Sequence, residues 1–423
     1  MANIHIVTYG CAVNQADSEA MAGLLREAGY EVVGDPKSAD LVVINSCTVK
    51  NSAEAKLFKD INDFRKLNKK IVVAGCVAEA QPDYVENKLK ELSVVGPHRI
   101  KEIVDVVQQT LDGNTVVLLK KEDSSNRLSI PKIRKNKIIE IIPINEGCLG
   151  SCSYCKTKQA RGQLLSYPVE EIKKTLICAL EEGCKEIWLT SQDTAVYGVD
   201  NKTNIIELLK ELVKVEGDFK IRLGMGNPDY FIKYADGLIE VLNSPKLFKF
   251  LHIPFQAGND LVLKAMRRNY NSSEYKELIS KLRDAHPDLT VATDVICGFP
   301  LESEEQFEES IGVVEETKPD ILNVSRFWAR PGTDAAEMPL HFGDETKERA
   351  IKMQKSFDPV ALSNNKKWLG WKGEVLIDEV GKNDTFIGRN YAYKQVIVKG
   401  DYELGSKVDV VIKSVSEYDL KGF

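Results

Sequence analysis

Three textures of apolar and polar positions follow one another along the chain. In the first, short apolar runs at Ile4–Thr8, Leu41–Asn45 and Ile71–Ala74 alternate with stretches of helical periodicity, Asp17–Ala28 and Ser52–Lys66. Buried strands separated by amphipathic helices predict a parallel sheet covered on both faces, here over residues 1–118. The second texture, over 138–365, repeats the alternation on a larger scale. Its six strand-like runs are Ile138–Ile142, Glu186–Thr190, Lys220–Leu223, Leu247–His252, Leu289–Ile296 and Ile321–Phe327. Helical patterns at Val169–Glu182, Ile205–Val215, Tyr230–Leu242, Ser272–Ala285 and Glu304–Glu316 separate most of them. That predicts a barrel or a partial (β/α)6 barrel of parallel strands, with its chemistry at the carboxyl ends of the strands. The third texture, over 366–423, is a series of short, mostly alternating runs, Glu374–Glu379, Thr385–Arg389, Gln395–Lys399 and Lys407–Lys413, split by Gly, Asn and Asp. It predicts a small antiparallel β-barrel. Residues 119–137 show no periodicity, contain Pro131 and read as a linker. The expected fold class is therefore α/β multidomain.

Composition changes this picture little. A hydrophobic content of 43% and a charged content of 28% are those of an ordinary globular chain, and 423 residues suit several domains. The chain enters its first strand at once, without a basic stretch and apolar core, and no apolar run is long enough for a bilayer. The expectation is a cytoplasmic protein with no membrane association. Nine cysteines in such a chain favour metal ligation over disulfides.

Charge adds two candidate contacts to nucleic acid. The net charge of −6 does not advertise such a partner, but local patches differ. In the linker, Lys120, Lys121, Arg127, Lys132, Arg134, Lys135 and Lys137 face only Glu122 and Asp123, which leaves it at +5. A solvated linker and a phosphate-contacting segment both fit that composition. In the last domain, Gly388–Lys394 sets Tyr391 and Tyr393 among Arg389 and Lys394. Rings beside cations suit unpaired nucleotides, although an ordinary barrel surface reads the same way.

The cysteines change the picture most. Cys148, Cys152 and Cys155 lie in one stretch after the first strand of the second texture, with three and then two residues between them. Such a loop can bend round a cube of iron and sulfide and leave one iron open for chemistry. Structural zinc is the alternative, but zinc takes four ligands, and the next cysteine is Cys178. A second set is scattered: Cys11, Cys47 and Cys76 each follow one of the three N-terminal strands. In a parallel sheet those ends share one edge, so the fold would converge three thiols on a second cluster. Three inert buried cysteines are the bland reading. Cys178, Cys184 and Cys297 have no thiol neighbour in sequence and read as structural.

Other strand ends of the second texture carry polar or glycine-bearing segments: Ser191-Gln192-Asp193, Arg222 with Gly224-Met225-Gly226-Asn227, Gln256-Ala257-Gly258 and Cys297-Gly298. Together on one rim they suggest a site for a large cofactor. His252 alone reads as a satisfied rim histidine.

The Cys148-Cys152-Cys155 spacing resembles the signature of radical S-adenosylmethionine (SAM) enzymes. The whole chain resembles the radical SAM methylthiotransferases, whose order is an N-terminal α/β domain, a partial radical SAM barrel and a C-terminal TRAM barrel. The resemblance rests on Tyr9-Gly10-Cys11-Ala12-Val13-Asn14, Asn45-Ser46-Cys47-Thr48-Val49, Ala74-Gly75-Cys76 and Pro254-Phe255-Gln256-Ala257-Gly258 with Met266-Arg267-Arg268. The string from Cys152 to Gly162 is most similar to the archaeal and eukaryotic branch, which acts on N6-threonylcarbamoyladenosine beside the tRNA anticodon. The resemblance implies two [4Fe-4S] clusters, SAM, a tRNA partner, and an electron donor such as ferredoxin or flavodoxin. It implies a deoxyadenosyl radical generated at Cys148, Cys152 and Cys155, and sulfur delivery at Cys11, Cys47 and Cys76. Tyr154 would lie near the SAM adenine, and Gln192, Asp193, Arg222, Asn227, Gln256 and Gly298 are candidate cofactor contacts. The family's usual glycines and glutamate after the second barrel strand are here Ser191-Gln192-Asp193, a departure. Arg161, Arg222 and Arg330 are candidate partners for the carboxylate of a threonylcarbamoyl group, since arginine's fork matches carboxylates. A ribosomal-protein methylthiotransferase would share both clusters, and a non-enzymatic iron-sulfur RNA-binding protein would share the clusters and the TRAM domain.

Overall fold

The computed structural model describes residues 2–48, 51–119 and 127–423, with the side chains of 51–53 outside that description. The N-terminal domain is one parallel six-stranded sheet. Its spatial order is Glu31–Val32, Asn3–Thr8, Leu41–Ser46, Lys70–Gly75, Ser93–Val95 and Val117–Leu118. Leu41, Val42, Val43 and Ile44 are fully buried because helices cover both faces, so alternate residues feed two separate cores.

The second domain holds the six expected parallel strands. Ile139–Pro143, Glu186–Thr190 and Lys220–Leu223 form one half, and Phe250–His252, Thr290–Cys297 and Ile321–Arg326 the other. A parallel bridge between Ile221 and Leu247 joins the halves into a partial barrel. Its interior and helices share one large apolar core. The helix Gly343–Lys366 then runs toward the last domain, with Pro359 inside it.

The last domain is a closed barrel ordered Lys372–Val380, Thr385–Arg389, Gln395–Lys399, Leu420–Gly422, Lys407–Val415. It is antiparallel except at one seam, where Gln395–Lys399 and Leu420–Gly422 run parallel. Its Gly388–Lys394 segment faces the radical SAM-type barrel rather than solvent. Tyr393 is only 8% exposed and packs on Phe248 and Phe250 at 4.8 and 5.0 Å between ring centres. Tyr391 packs on Trp368 and donates its hydroxyl to Asp288 at 2.7 Å. Arg389 pairs with Asp378 and Lys394 with Asp320. The reading of these residues as a nucleotide-stacking patch is thereby corrected: Tyr391, Tyr393 and Lys394 fasten one domain to another, and Arg389 pairs within the barrel.

The basic linker is corrected in the same way at three of its cations. Arg127 is buried against Asp17 and Glu146, and Lys132 and Arg134 both pair with the buried Glu140. These three charges are spent inside the protein, not on phosphates, while Lys135 and Lys137 are exposed. Lys120, Lys121, Glu122 and Asp123 lie outside the described residues.

Candidate active site

The loop bearing Cys148, Cys152 and Cys155 leaves the first barrel strand at its carboxyl end, and all three side chains are partly accessible. Backbone bonds pin it: the Ser153 N–H donates to Met266 O at 3.1 Å and the Ala335 N–H to Ser153 O at 2.9 Å. The Gly150 N–H points at the Cys148 sulfur, 3.2 Å away. Burial, with the nearby Asp193 charge, pushes the Cys148 thiol up to about 12. Such a thiol loses its proton at neutral pH only to a metal cation or to strong donors.

One strong donor is Arg268. Its guanidinium lies 3.2 Å from the Cys152 sulfur with one nitrogen and 2.6 Å from Asn227 Oδ1 with another. Asn227 in turn donates from its backbone and its side chain to Asp193. Burial, only partly offset by those bonds, raises the Asp193 carboxyl to about 6. A continuous polar chain thus links Cys152, Arg268, Asn227 and Asp193. Tyr154 stands edge-on to Phe299, 6.3 Å between ring centres.

The scattered cysteines also converge. Cys11 precedes the helix Ala12–Glu27, Cys47 follows the strand Leu41–Ser46, and Cys76 opens the helix Cys76–Ala80. Asn14 Oδ1 lies 3.9 Å from the Cys11 sulfur and 3.7 Å from that of Cys76. The Gly10 backbone passes so close to Cys47 that a Cβ there would sit 2.9 Å from the sulfur. Cys47 and Cys76 are buried and Cys11 is exposed, so the site opens on one side. Burial pushes the Cys76 thiol up to about 12, and Arg161 pulls it back. Among the described residues no three His, Cys, Asp or Glu side chains gather tightly enough for a single ion. Ligands on the corners of a multi-iron cluster stand farther apart than ligands on one ion.

Comparison with known proteins agrees with this layout. The chain matches a family described as "Uncharacterized protein family UPF0004" over 3–96, the radical SAM superfamily over 142–314 and the TRAM domain over 369–422. The threonylcarbamoyladenosine tRNA methylthiotransferase of Homo sapiens is 42% identical over 429 residues, covering 99% of this chain and 73% of its own. A probable threonylcarbamoyladenosine tRNA methylthiotransferase of Pyrococcus abyssi is 38% identical over 400 residues, covering 94% of each. This chain belongs to the threonylcarbamoyladenosine tRNA methylthiotransferase family. Among solved structures, the radical SAM methyltransferase TsrM of Kitasatospora setae superposes with a TM-score of 0.57 at 14% identity, covering 79% of this chain and 77% of that one. That likeness concerns the fold alone.

A radical SAM member of this family carries a [4Fe-4S] cluster and uses SAM. The barrel mouth fits both. Three thiols share one loop, and two acceptors near them, Gln192 Oε1 and Asn145 Oδ1, are buried with no hydrogen-bond partner. Orphaned buried acceptors call for a donor from a ligand. Gln256 fits as well, since its left-handed backbone (φ +66) is a strain that concentrates at functional positions.

Other expected contacts do not survive. Arg222 lies on the face of its strand away from the helices, stacked on Trp188, Phe250 and Tyr393 at 5.1, 5.1 and 5.3 Å, so it packs against the TRAM barrel. The Gly298 N–H is taken by Glu302 at 2.8 Å, and its α-carbon abuts Thr346, where a Cβ would come within 2.4 Å. That glycine serves packing of the long helix. Arg161, 1% exposed, pairs with Asp17, and Arg330 pairs with Glu54 at 3.0 Å. Arg161 and Arg330 therefore present no open fork to a threonylcarbamoyl group, whereas the Arg222 Nε is buried without a hydrogen-bond partner. His252 is satisfied by Asp294 at 2.9 Å, Cys184 and Cys297 are buried, and Cys178 is exposed on a helix. Arg268 was quoted in sequence only as part of Met266-Arg267-Arg268; nothing in its local pattern marks a thiol contact 116 residues away.

Proposed function

We propose that this chain converts N6-threonylcarbamoyladenosine in tRNA to its 2-methylthio derivative, using two iron-sulfur clusters with separate tasks. The observation that carries the reading is the pair of three-thiol sites, one on each side of a single interdomain seam. When bound, the cluster at Cys148, Cys152 and Cys155 supplies one electron, which splits SAM into methionine and a 5′-deoxyadenosyl radical. That chemistry is needed because no side chain is basic enough to open the C2–H bond of adenine. The protein's own part is placement. Arg268 holds Cys152 and, through Asn227, Asp193; Gln192 and Asn145 offer acceptors to SAM; Tyr154 lines the mouth, backed by the buried Phe299. Cys11, Cys47 and Cys76 would hold a second [4Fe-4S] cluster, which would supply the sulfur to be inserted.

The TRAM barrel contributes to tRNA binding through surface other than Gly388–Lys394. Ferredoxin or flavodoxin serves as electron donor. No helix among the described residues is long and apolar enough to cross a membrane, in keeping with a cytoplasmic enzyme. The test uses the reconstituted holoenzyme with one tRNA in two forms, bearing threonylcarbamoyladenosine or lacking it. Nucleoside mass spectrometry should find the 2-methylthio product only from the modified form. A site built round a polar group discriminates by roughly 10⁴-fold or more. Equal product from both forms would overturn the substrate assignment.

A further inference from the structure

Arg161 takes partners from both cysteine-bearing segments, as Arg127 does, and of the two it is the one bonded to Asn14 between Cys11 and Cys76. From the short helix Thr157–Arg161 of the barrel domain it reaches into the N-terminal domain, where one nitrogen lies 2.9 Å from Asn14 Oδ1 and 2.6 Å from Asp17 Oδ2. Its charge also pulls down the burial-raised Cys76 thiol, whose sulfur lies 3.7 Å from the same Asn14 Oδ1. Its other terminal nitrogen is 3.5 Å from Glu146, two residues before Cys148. Asp17 and Glu146 are shared with Arg127, at 3.0 and 3.3 Å, so two buried arginines balance two buried carboxylates. Asn14 is the neutral hub between Cys11 and Cys76, and Arg161 holds its oxygen.

A thiolate bound to iron has no proton to give Asn14, so Asn14 Oδ1 is left to the guanidinium, which sets its charge beside Cys76. Hydrogen bonds to ligand sulfurs and local charge set the reduction potential of iron-sulfur clusters. A cation fixed beside a sulfur stabilises the reduced, more negative state. We propose that Arg161 is a positioning residue that raises the reduction potential of the N-terminal cluster and ties that cluster to the loop bearing Cys148. This rests on the second cluster proposed above. Arg161 acts through Cys76 and Asn14 and touches neither SAM nor tRNA.

The experiment uses the full chain with Cys148, Cys152 and Cys155 all changed to Ala, reconstituted anaerobically, so that the N-terminal cluster is the sole iron centre. Its midpoint potential is read by redox titration monitored by electron paramagnetic resonance. R161Q should keep the iron and shift the potential to more negative values. R161K, which keeps the charge and loses the fork, should fall between R161Q and the parent. The same charge change at Arg127, whose partners are Asp17, Glu146, Pro97 and His98, should move the potential less. An unchanged potential in R161Q with iron retained overturns the inference. So does a shift in R127Q as large as that in R161Q, or loss of iron in R161Q and R161K alike, since either makes Arg161 merely structural. A parent chain that binds no iron overturns the two-cluster reading itself, and is told apart because no cluster signal exists to titrate.

Discussion

One set of three cysteines is built on a single loop, Cys148 to Cys155; the other is gathered from Cys11, Cys47 and Cys76 at three strand ends. Both sites set a guanidinium beside a sulfur, Arg268 on Cys152 directly and Arg161 on Cys76 through Asn14. The difference lies in what holds the thiols together. The loop carries its own geometry, whereas the scattered set exists only while a parallel sheet keeps three strand ends on one edge. Damage to the fold should therefore reach the two sites unequally, and the scattered one first.

The largest effect separates the sites outright. Changing Cys148, Cys152 and Cys155 to Ala should abolish SAM cleavage and remove about half of the bound iron, counted with sulfide after reconstitution. Cleavage that persists in this variant would refute the assignment of the loop.

Next comes a change in the sheet alone. Ile44 is fully buried in the strand that leads to Cys47. Ile44→Ala should cost about 2–5 kcal/mol of N-terminal domain stability. Thermal denaturation followed by iron counting should find the N-terminal iron lost first, with SAM cleavage retained. Parallel loss at both sites would mean that they do not differ as described.

Arg268→Ala should do the converse at a smaller scale. Outer partners of metal ligands typically contribute about 10- to 100-fold to affinity or activity. Loss of that order is expected in SAM cleavage, while the electron paramagnetic resonance signal of the N-terminal cluster stays as it was. Arg268→Lys should not restore it, because one ammonium cannot reach both Cys152 and Asn227 in the same fixed geometry.

The smallest effect probes the other seam as a control. Glu186 is buried at the join between barrel and TRAM domain, where burial and then Asp378 raise its carboxyl to about 7. Its folded value is above its unfolded one, so ionisation costs the folded state more. Stability should fall as pH rises from the ordinary carboxylate range through about 7. Glu186→Gln should raise the melting temperature by a few degrees at pH 8 and leave it unchanged well below the carboxylate range. A gain of equal size at both extremes would show that the charge is not the cause.

Both cysteine sets were legible, for different reasons. The loop shows as spacing, and the scattered set shows once strands are placed, because strand ends in a parallel sheet are a topological address. Three strands of the sheet escaped notice: Glu31–Val32, Ser93–Val95 and Val117–Leu118 are too short to carry a period. The helix Gly343–Lys366 escaped as well, with Pro359 in its interior. Arginines and tyrosines misled most. Arg161, Arg222, Tyr391 and Tyr393 read as surface chemistry because composition cannot say which polar side chains a seam between domains will bury. Arg268 was missed because its partner lies far away in sequence.

The central claim is a division of labour between the two thiol sets, and one reaction mixture tests it. With Cys11, Cys47 and Cys76 changed to Ala, the reconstituted full-length enzyme is incubated with SAM, a reductant and tRNA bearing threonylcarbamoyladenosine. Both 5′-deoxyadenosine and the modified nucleoside are quantified. The account predicts that 5′-deoxyadenosine still forms and that the 2-methylthio nucleoside does not. Methylthiolated tRNA from this variant would contradict it.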